Sequence, residues 1–279
     1  MKRLIINADD FGYDEGVVRG IIDLHRAGAI TSTSCMTNMP AWPRAAAYLR
    51  EHQDLGAGVH LVFNEGRPVL PAARVSALIG EDGQFLNDSQ ILHSLRPGTT
   101  AQLRAEFCAQ IERFITDVGR RPDHLDNHCA VSYTRPDRFR VTLELAQEYG
   151  LPIRAPFGDD LEEQATFLAQ RNGLPAWIVR RQGARLRRRI DRAGIGRPNT
   201  FLMQFSTPGN RTPATLLSLL DTLREGWLSE LLAHPGYGTD WREEDLRTLL
   251  DPRVRQRLAR PDIELATFAA IGRPASPAP

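Results

Sequence analysis

The 279 residues suffice for one large α/β domain or two ordinary ones and exclude a small disulfide-stapled scaffold. With 42% hydrophobic and 25% charged residues, the chain can bury a sizeable core and lacks the composition of a disordered protein. The 35 basic residues nearly balance the 34 acidic ones, and a net charge of +1 gives no molecule-wide field to attract nucleic acid or membrane.

Short apolar runs rich in β-branched residues alternate with longer helical patterns along the whole chain. That alternation is the signature of repeated βα units around a parallel sheet, about seven of them here. Strands are expected at 3–7, 32–37, 56–63, 124–128, 152–155, 200–205 and 229–234, with a further short one at 263–266. Helices are expected at 15–27, 43–52, 101–118, 138–149, 175–193, 213–224 and 243–258. In the third helix Leu103, Phe107, Ile111, Phe114 and Ile115 form one apolar stripe, Arg104, Glu106 and Glu112 lie off it, and Gly119 is a stop signal. Residues 64–96 carry Gly, Pro and Asn punctuation without a sustained period, which suits either a lid over a site or a packed excursion away from it. No internal repeat or interdomain linker interrupts the pattern, so residues 1–271 are expected to be one domain and 272–279 a disordered tail.

No apolar run reaches the roughly 18 residues of a membrane span, and the N-terminus lacks a signal peptide's apolar region. Cys35, Cys108 and Cys129 are odd in number and have no CxxC spacing, which fits a reducing compartment and a cytoplasmic protein. Lys2 is the sole lysine, a one-sidedness more simply explained by coding bias than by binding. The run Arg185, Arg187, Arg188, Arg189 and Arg192 reads as a solvated helix face; an anionic lipid or phosphosugar would be its natural partner were it functional.

Chemistry concentrates at strand ends. The first strand delivers Asp9 and Asp10, whose adjacent charges repel unless a metal or cation offsets them; the competing assignment makes one of them a helix N-cap. Gly58-Val59-His60-Leu61 ends the third strand, and His124-Leu125-Asp126-Asn127-His128 places His124, Asp126 and His128 on one face of the fourth. Any one of these histidines alone suits a hydrogen-bonded core role; together with Asp10, His60 and His128 make a three-ligand set for a divalent ion such as Zn²⁺, with positions left for water. Asp9 is then the candidate base, and His234, before Pro235-Gly236 at another strand end, the candidate acid. Arg154, at a barrel mouth, could hold a sugar hydroxyl or an anionic group.

Four motifs, Asn7-Ala8-Asp9-Asp10-Phe11-Gly12, Gly58-Val59-His60-Leu61, His124-Leu125-Asp126-Asn127-His128 and Ala233-His234-Pro235-Gly236, resemble in content and order those of the YdjC-like carbohydrate deacetylase family, also called ChbG/HpnK. The resemblance implies a distorted (β/α) barrel of about seven parallel strands, polysaccharide-deacetylase-like in architecture. It implies a hydrolase removing the N-acetyl group from an N-acetylated amino sugar or short chitooligosaccharide, hence a role in carbohydrate metabolism. By the same resemblance, one divalent metal ion (Zn²⁺ or Mg²⁺) is held by Asp10, His60 and His128, with Asp9 and His234 catalytic. Arg154 and Asp126 are expected to bind substrate, and a homodimer is compatible with such barrels. After His128 the family carries further histidines, whereas this chain reads Cys129-Ala130-Val131-Ser132; Cys129 is expected to be a small buried hydrophobe. Pro198-Asn199-Thr200-Phe201 also replaces an acidic residue and a His that relatives place before the Phe. Two alternatives stay open: a metal-dependent hydrolase of another glycan or glycolipid bond, and a catalytically impaired sugar-binding homologue.

Overall fold

A computed structural model of the chain describes residues 1–93, 98–129, 133 and 135–272. The expected disordered tail, apart from Gly272, lies outside the described residues, as do Ala130, Val131 and Ser132.

The strands are β1 (Lys2–Phe11), β2 (Ser32–Cys35), β3 (Gly56–Leu61), β4 (Leu125–Asn127), β5 (Thr200–Leu202), β6 (Leu228–Ala233) and β7 (Ile263–Leu265). They form one parallel sheet in the order β4-β3-β2-β1-β6-β5, with β7 also paired to β1. Leu4, Ile5 and Ile6 of β1 are fully buried, as a central parallel strand covered on both faces requires. Along one edge of β1, β7 pairs with Lys2–Leu4 and β2 begins opposite Asn7; β6 runs along the other edge from Arg3 to Ala8. Parallel strands end at one rim, so Asp9, His60, Asn127 and Ala233 reach the same end of the molecule.

The sheet curls into a distorted barrel that its strands do not fully close. Across the gap between β4 and β5, Leu125 N donates to Pro152 O (3.0 Å), Arg154 N to Leu125 O (3.1 Å) and Ile153 N to Gly196 O (2.9 Å). The strand expected at 152–155 is thus a single bridge, Leu125↔Ile153, because Pro152 and Pro156 bring no N–H to extend a ladder. The short strand at the chain's end, Ile263–Leu265, does form.

The helices among the described residues are α1 (Glu15–Arg26), α2 (Trp42–Glu51), α3 (Asp88–His93), α4 (Thr99–Val118), α5 (Pro136–Tyr149), α6 (Leu161–Asn172), α7 (Ala176–Arg192), α8 (Pro213–Asp221), α9 (Asp240–Leu250) and α10 (Pro252–Leu258). Asp14 caps α1 by accepting from Val17 N at 2.8 Å, so neither Asp9 nor Asp10 is needed as a cap. Gly20 of α1 lies so close to the turn after β6 that a Cβ there would stand 2.9 Å from Gly236 Cα. The close approach seats the His234-Pro235-Gly236 turn on the helix. The helix expected at 243–258 is two helices, broken where Asp251 accepts from Arg253 N and Pro252 opens the second. Helices α3 and α6 lack counterparts among the expected elements.

On α4, Leu103, Phe107, Ile111 and Phe114 are buried as expected, and Gly119 ends the helix in the left-handed region (φ 78°). Glu106 is also fully buried. Its carboxylate accepts from Val69 N (2.8 Å) and Leu70 N (3.0 Å), pinning the segment that follows β3. That segment buries Val75, Leu78, Leu86 and Ile91 in the main core, so it is a packed excursion, although one of its residues reaches the site.

Candidate metal and catalytic site

Regular alternation along β1 would send Asp9 and Asp10 to opposite faces. The strand avoids this by a register shift between Ala8 and Phe11 and a left-handed backbone at Asp10 (φ 71°), and both carboxylates enter the site.

Asp10 Oδ1 lies 3.6 Å from His60 Nε2 and 3.5 Å from His128 Nδ1. It is buried and has no hydrogen-bond partner among the described residues, while Oδ2 accepts from Arg242 at 2.7 Å. The three facing atoms lie within 4.8 Å of one another. An orphaned carboxylate oxygen converging on two imidazole nitrogens fits a divalent cation, and two nitrogens with one oxygen suit a first-row ion such as Zn²⁺. A second group, Asp9, His60 and Asp126, is equally compact, but Arg154 already pairs with both of its carboxylates.

Each imidazole is anchored from behind by a carboxylate. His60 Nδ1 meets Asp126 Oδ1 at 2.9 Å, leaving Nε2 toward Asp10; His128 Nε2 meets Glu65 Oε2 at 3.0 Å, leaving Nδ1 toward Asp10. Glu65, on the excursion, also accepts from the Tyr13 hydroxyl at 2.8 Å. Burial disfavours the charged form of His128, but the facing Asp10 carboxylate, Cys129 and Glu65 outweigh it and hold the imidazole well above its ordinary value. For Asp10 burial pulls upward and is outweighed by the adjacent His128 and by the charges of His234 and Arg242, leaving its carboxyl well below the usual range.

Asp9 receives both terminal nitrogens of Arg154 at 2.7 Å and Asn7 Nδ2 at 2.7 Å. Its Oδ2 stands 3.8 Å from His60 Nε2 and 3.9 Å from His234 Nε2. His234 is carried past the end of β6, and its backbone N–H donates to Asp245 at 2.7 Å. Burial pushes this imidazole below its ordinary value, and its Nδ1 is without a partner among the described residues.

Arg154 and Asp126, expected to bind substrate, are turned to each other. Arg154 Nη1 lies 2.7 Å from Asp126 Oδ2 and its Nε 2.6 Å from Glu230 Oε1. Asp126 is fully buried and is shared by His60, Ser34 and Arg154; burial raises its carboxyl, and Arg154 and His60 more than reverse the effect. His124 shares the interior face with Asp126, contacting Ser34 Oγ at 3.1 Å and stacking on Phe268 away from the metal-type group. Gly58 makes room for it: a Cβ there would fall 2.4 Å from the His124 ring. Cys129, expected to be buried, is exposed with φ 63° and lines the cavity.

The cavity above these groups measures about 450 Å³. Asp9, His60, His128, Arg154 and His234 are at its polar end, and Phe157, Phe201, Met203 and Leu232 supply apolar wall. Glu65, Arg242 and Glu230 were not singled out from the sequence as site residues. Only Glu65, a charge in the turn after the His60 strand, carried a local signal.

A model of the family described as YdjC-like protein matches residues 3–260. A carbohydrate deacetylase of Geobacillus stearothermophilus is 32% identical over 95% of this chain and 96% of its own length. A human carbohydrate deacetylase is 33% identical over 95% of this chain and 90% of its own. A crystal structure from Enterococcus faecalis, described as a candidate cellobiose-phosphate cleavage protein, superposes with a TM-score of 0.76 at 29% identity, covering 96% of this chain and 98% of that one. The chain belongs to the YdjC-like family.

Proposed function

We propose that residues 1–271 act as one catalytic unit, a carbohydrate deacetylase that hydrolyses the N-acetyl group of an N-acetylated amino sugar or short chitooligosaccharide. The observation that carries this reading is the orphaned Asp10 Oδ1 facing His60 Nε2 and His128 Nδ1 beside Asp9 and His234. The names of the Geobacillus and human relatives support the reaction class.

Asp10, His60 and His128 would hold a divalent ion, which supplies polarisation of the acetamide carbonyl and a more acidic water. Asp9 takes the proton of the water that attacks the acetyl carbon; Asn7 and the two-pronged contact from Arg154 fix its orientation. His234 then protonates the amine nitrogen as the C–N bond breaks, giving acetate and a free amino sugar. Burial makes its imidazolium a stronger donor than an exposed one. In this reading Asp126 positions His60 and Arg154 positions Asp9, and the sugar meets the Phe157, Phe201 and Met203 wall. The free thiols of Cys35, Cys108 and Cys129 support a reducing, cytoplasmic setting.

Acetate release from N-acetylglucosamine oligomers, measured before and after chelation and after readdition of Zn²⁺ or Mg²⁺, tests the reading. Loss on chelation and recovery with metal are expected; chelator-insensitive turnover would remove the metal assignment. The description of the Enterococcus faecalis protein favours one second reading, hydrolysis within a phosphorylated disaccharide. Release of monosaccharides from cellobiose phosphate without acetate release from the oligomers would select it.

A further inference from the structure

Helices α6 and α7 form a hairpin around Phe157, Ala165, Ala169 and Val179, a cluster separate from the main core. The turn between them exposes Leu174 (49%) and the helix start exposes Trp177 (60%). After Trp177, Arg181, Arg185, Arg188 and Arg192 follow at helical steps of four, four, three and four residues, so all five share one face. The opposite face of α7 carries its buried residues Val179, Gly183 and Ile190. All four arginines are exposed, and among the described residues none is paired with an acid. Two neighbours off the stripe are paired with acids: Arg180 with Glu162, and Arg187 with Asp159 and Asp191. A net charge of +1 for the whole chain therefore conceals a local cationic stripe about 16 Å long from Arg181 to Arg192.

We propose that this face docks the protein on an anionic lipid bilayer. Leu174 and Trp177 enter the boundary between headgroups and acyl chains, and the four guanidiniums lie along the lipid phosphates. A neutral glycan would need free hydrogen-bond acceptors as well as donors, and Glu162, the acidic side chain in the groove beside the stripe, is already paired with Arg180. A soluble polyanion would satisfy the arginines but leaves the exposed Leu174 without a partner. Leu168, Arg171 and Asn172, in the last turns of α6, line the catalytic cavity, so docking sets that cavity's rim beside the bilayer. It uses none of the catalytic groups.

Co-sedimentation of the full chain with vesicles of phosphatidylcholine alone, or mixed with phosphatidylglycerol, tests this. Binding is expected only to the mixed vesicles, with loss in high salt. Replacing Arg181, Arg185, Arg188 and Arg192 together by Gln should weaken partitioning by well over tenfold, since each arginine near an anionic surface is worth roughly fivefold. Trp177→Ser should weaken binding while keeping its salt dependence. Unchanged circular dichroism and acetate release from soluble substrate are expected for both variants, and if the fourfold variant does not fold, the lipid-charge and salt series on the native chain decides. No binding to phosphatidylglycerol vesicles, or equal binding by the fourfold variant, would overturn the proposal. So would retention by a soluble anionic polysaccharide without vesicle binding, or a dimer in solution that buries Trp177.

Discussion

Asp10 adopts a backbone conformation that a non-glycine residue visits rarely (φ 71°), and Asn and Asp tolerate it best. Asp10→Asn should therefore keep the fold while removing the charge that faces His60 and His128. Elemental analysis after dialysis against Zn²⁺ should show sub-stoichiometric metal in this variant and in His128→Ala; full occupancy in either would refute the ligand set. Glu65 acts one step further out. By holding His128 Nε2 it leaves Nδ1 for the metal side, so Glu65→Gln should weaken metal affinity by roughly 10–100-fold with little change in thermal stability. Affinity equal to the native chain's would mean that Glu65 merely touches the ring. That Asp10, His60 and His128 would meet was legible in the sequence because each stands at the end of a strand inside a recognisable motif. Glu65 and Arg242 were harder to find because their partners, His128 and Asp10, are 63 and 232 residues away and depend on how the excursion and α9 fold back.

Among the elements, α4 shows where periodicity informs and where it misleads. The apolar stripe was legible from spacing alone, yet Gln102, Glu106 and Gln110, four residues apart, form a second, polar seam beside it. Gln102 accepts from Ala77 N, Glu106 from Val69 N and Leu70 N, and Gln110 from Val62 N, so the seam anchors the chain from the end of β3 into the excursion. A charged residue off an apolar stripe ordinarily faces water; here two backbone N–H groups 37 and 36 residues upstream make its burial tolerable. Glu106→Ala would strand both donors at about 1–3 kcal/mol each. The expected signature is a lower denaturation midpoint with faster hydrogen exchange at Val69 and Leu70 than in α1. A uniform change in exchange across the chain would refute a local anchoring role. The same tertiary logic explains the strand that did not form at 152–155: β-branched character was present, but the flanking prolines left only one bridge to make.

At the scale of the whole molecule, the barrel's open seam is spanned by ion pairs in its interior as well as by backbone hydrogen bonds. Arg154, on the bridging segment, reaches Asp9 of β1, Asp126 of β4 and Glu230 of β6. Three carboxylates around one guanidinium leave an excess of buried negative charge, and Glu230 is where it shows. Burial, with Asp9 and Asp126 adding to it against the opposing pull of Arg154, raises its carboxyl from 4.5 to about 7. The folded protein thus binds this proton more tightly than the unfolded chain does. Glu230 supports the fold fully below about pH 4.5, and that support is lost as the pH rises through about 7. The displacement corresponds to about 3 kcal/mol. Gln at this position keeps an oxygen for Arg154 but has no proton to lose. Urea unfolding of the native chain and Glu230→Gln should therefore show the difference between them moving in the variant's favour by up to about 3 kcal/mol between about pH 4.5 and 8. A difference independent of pH would mean that Glu230 is ionised throughout and that Arg154 alone balances all three carboxylates.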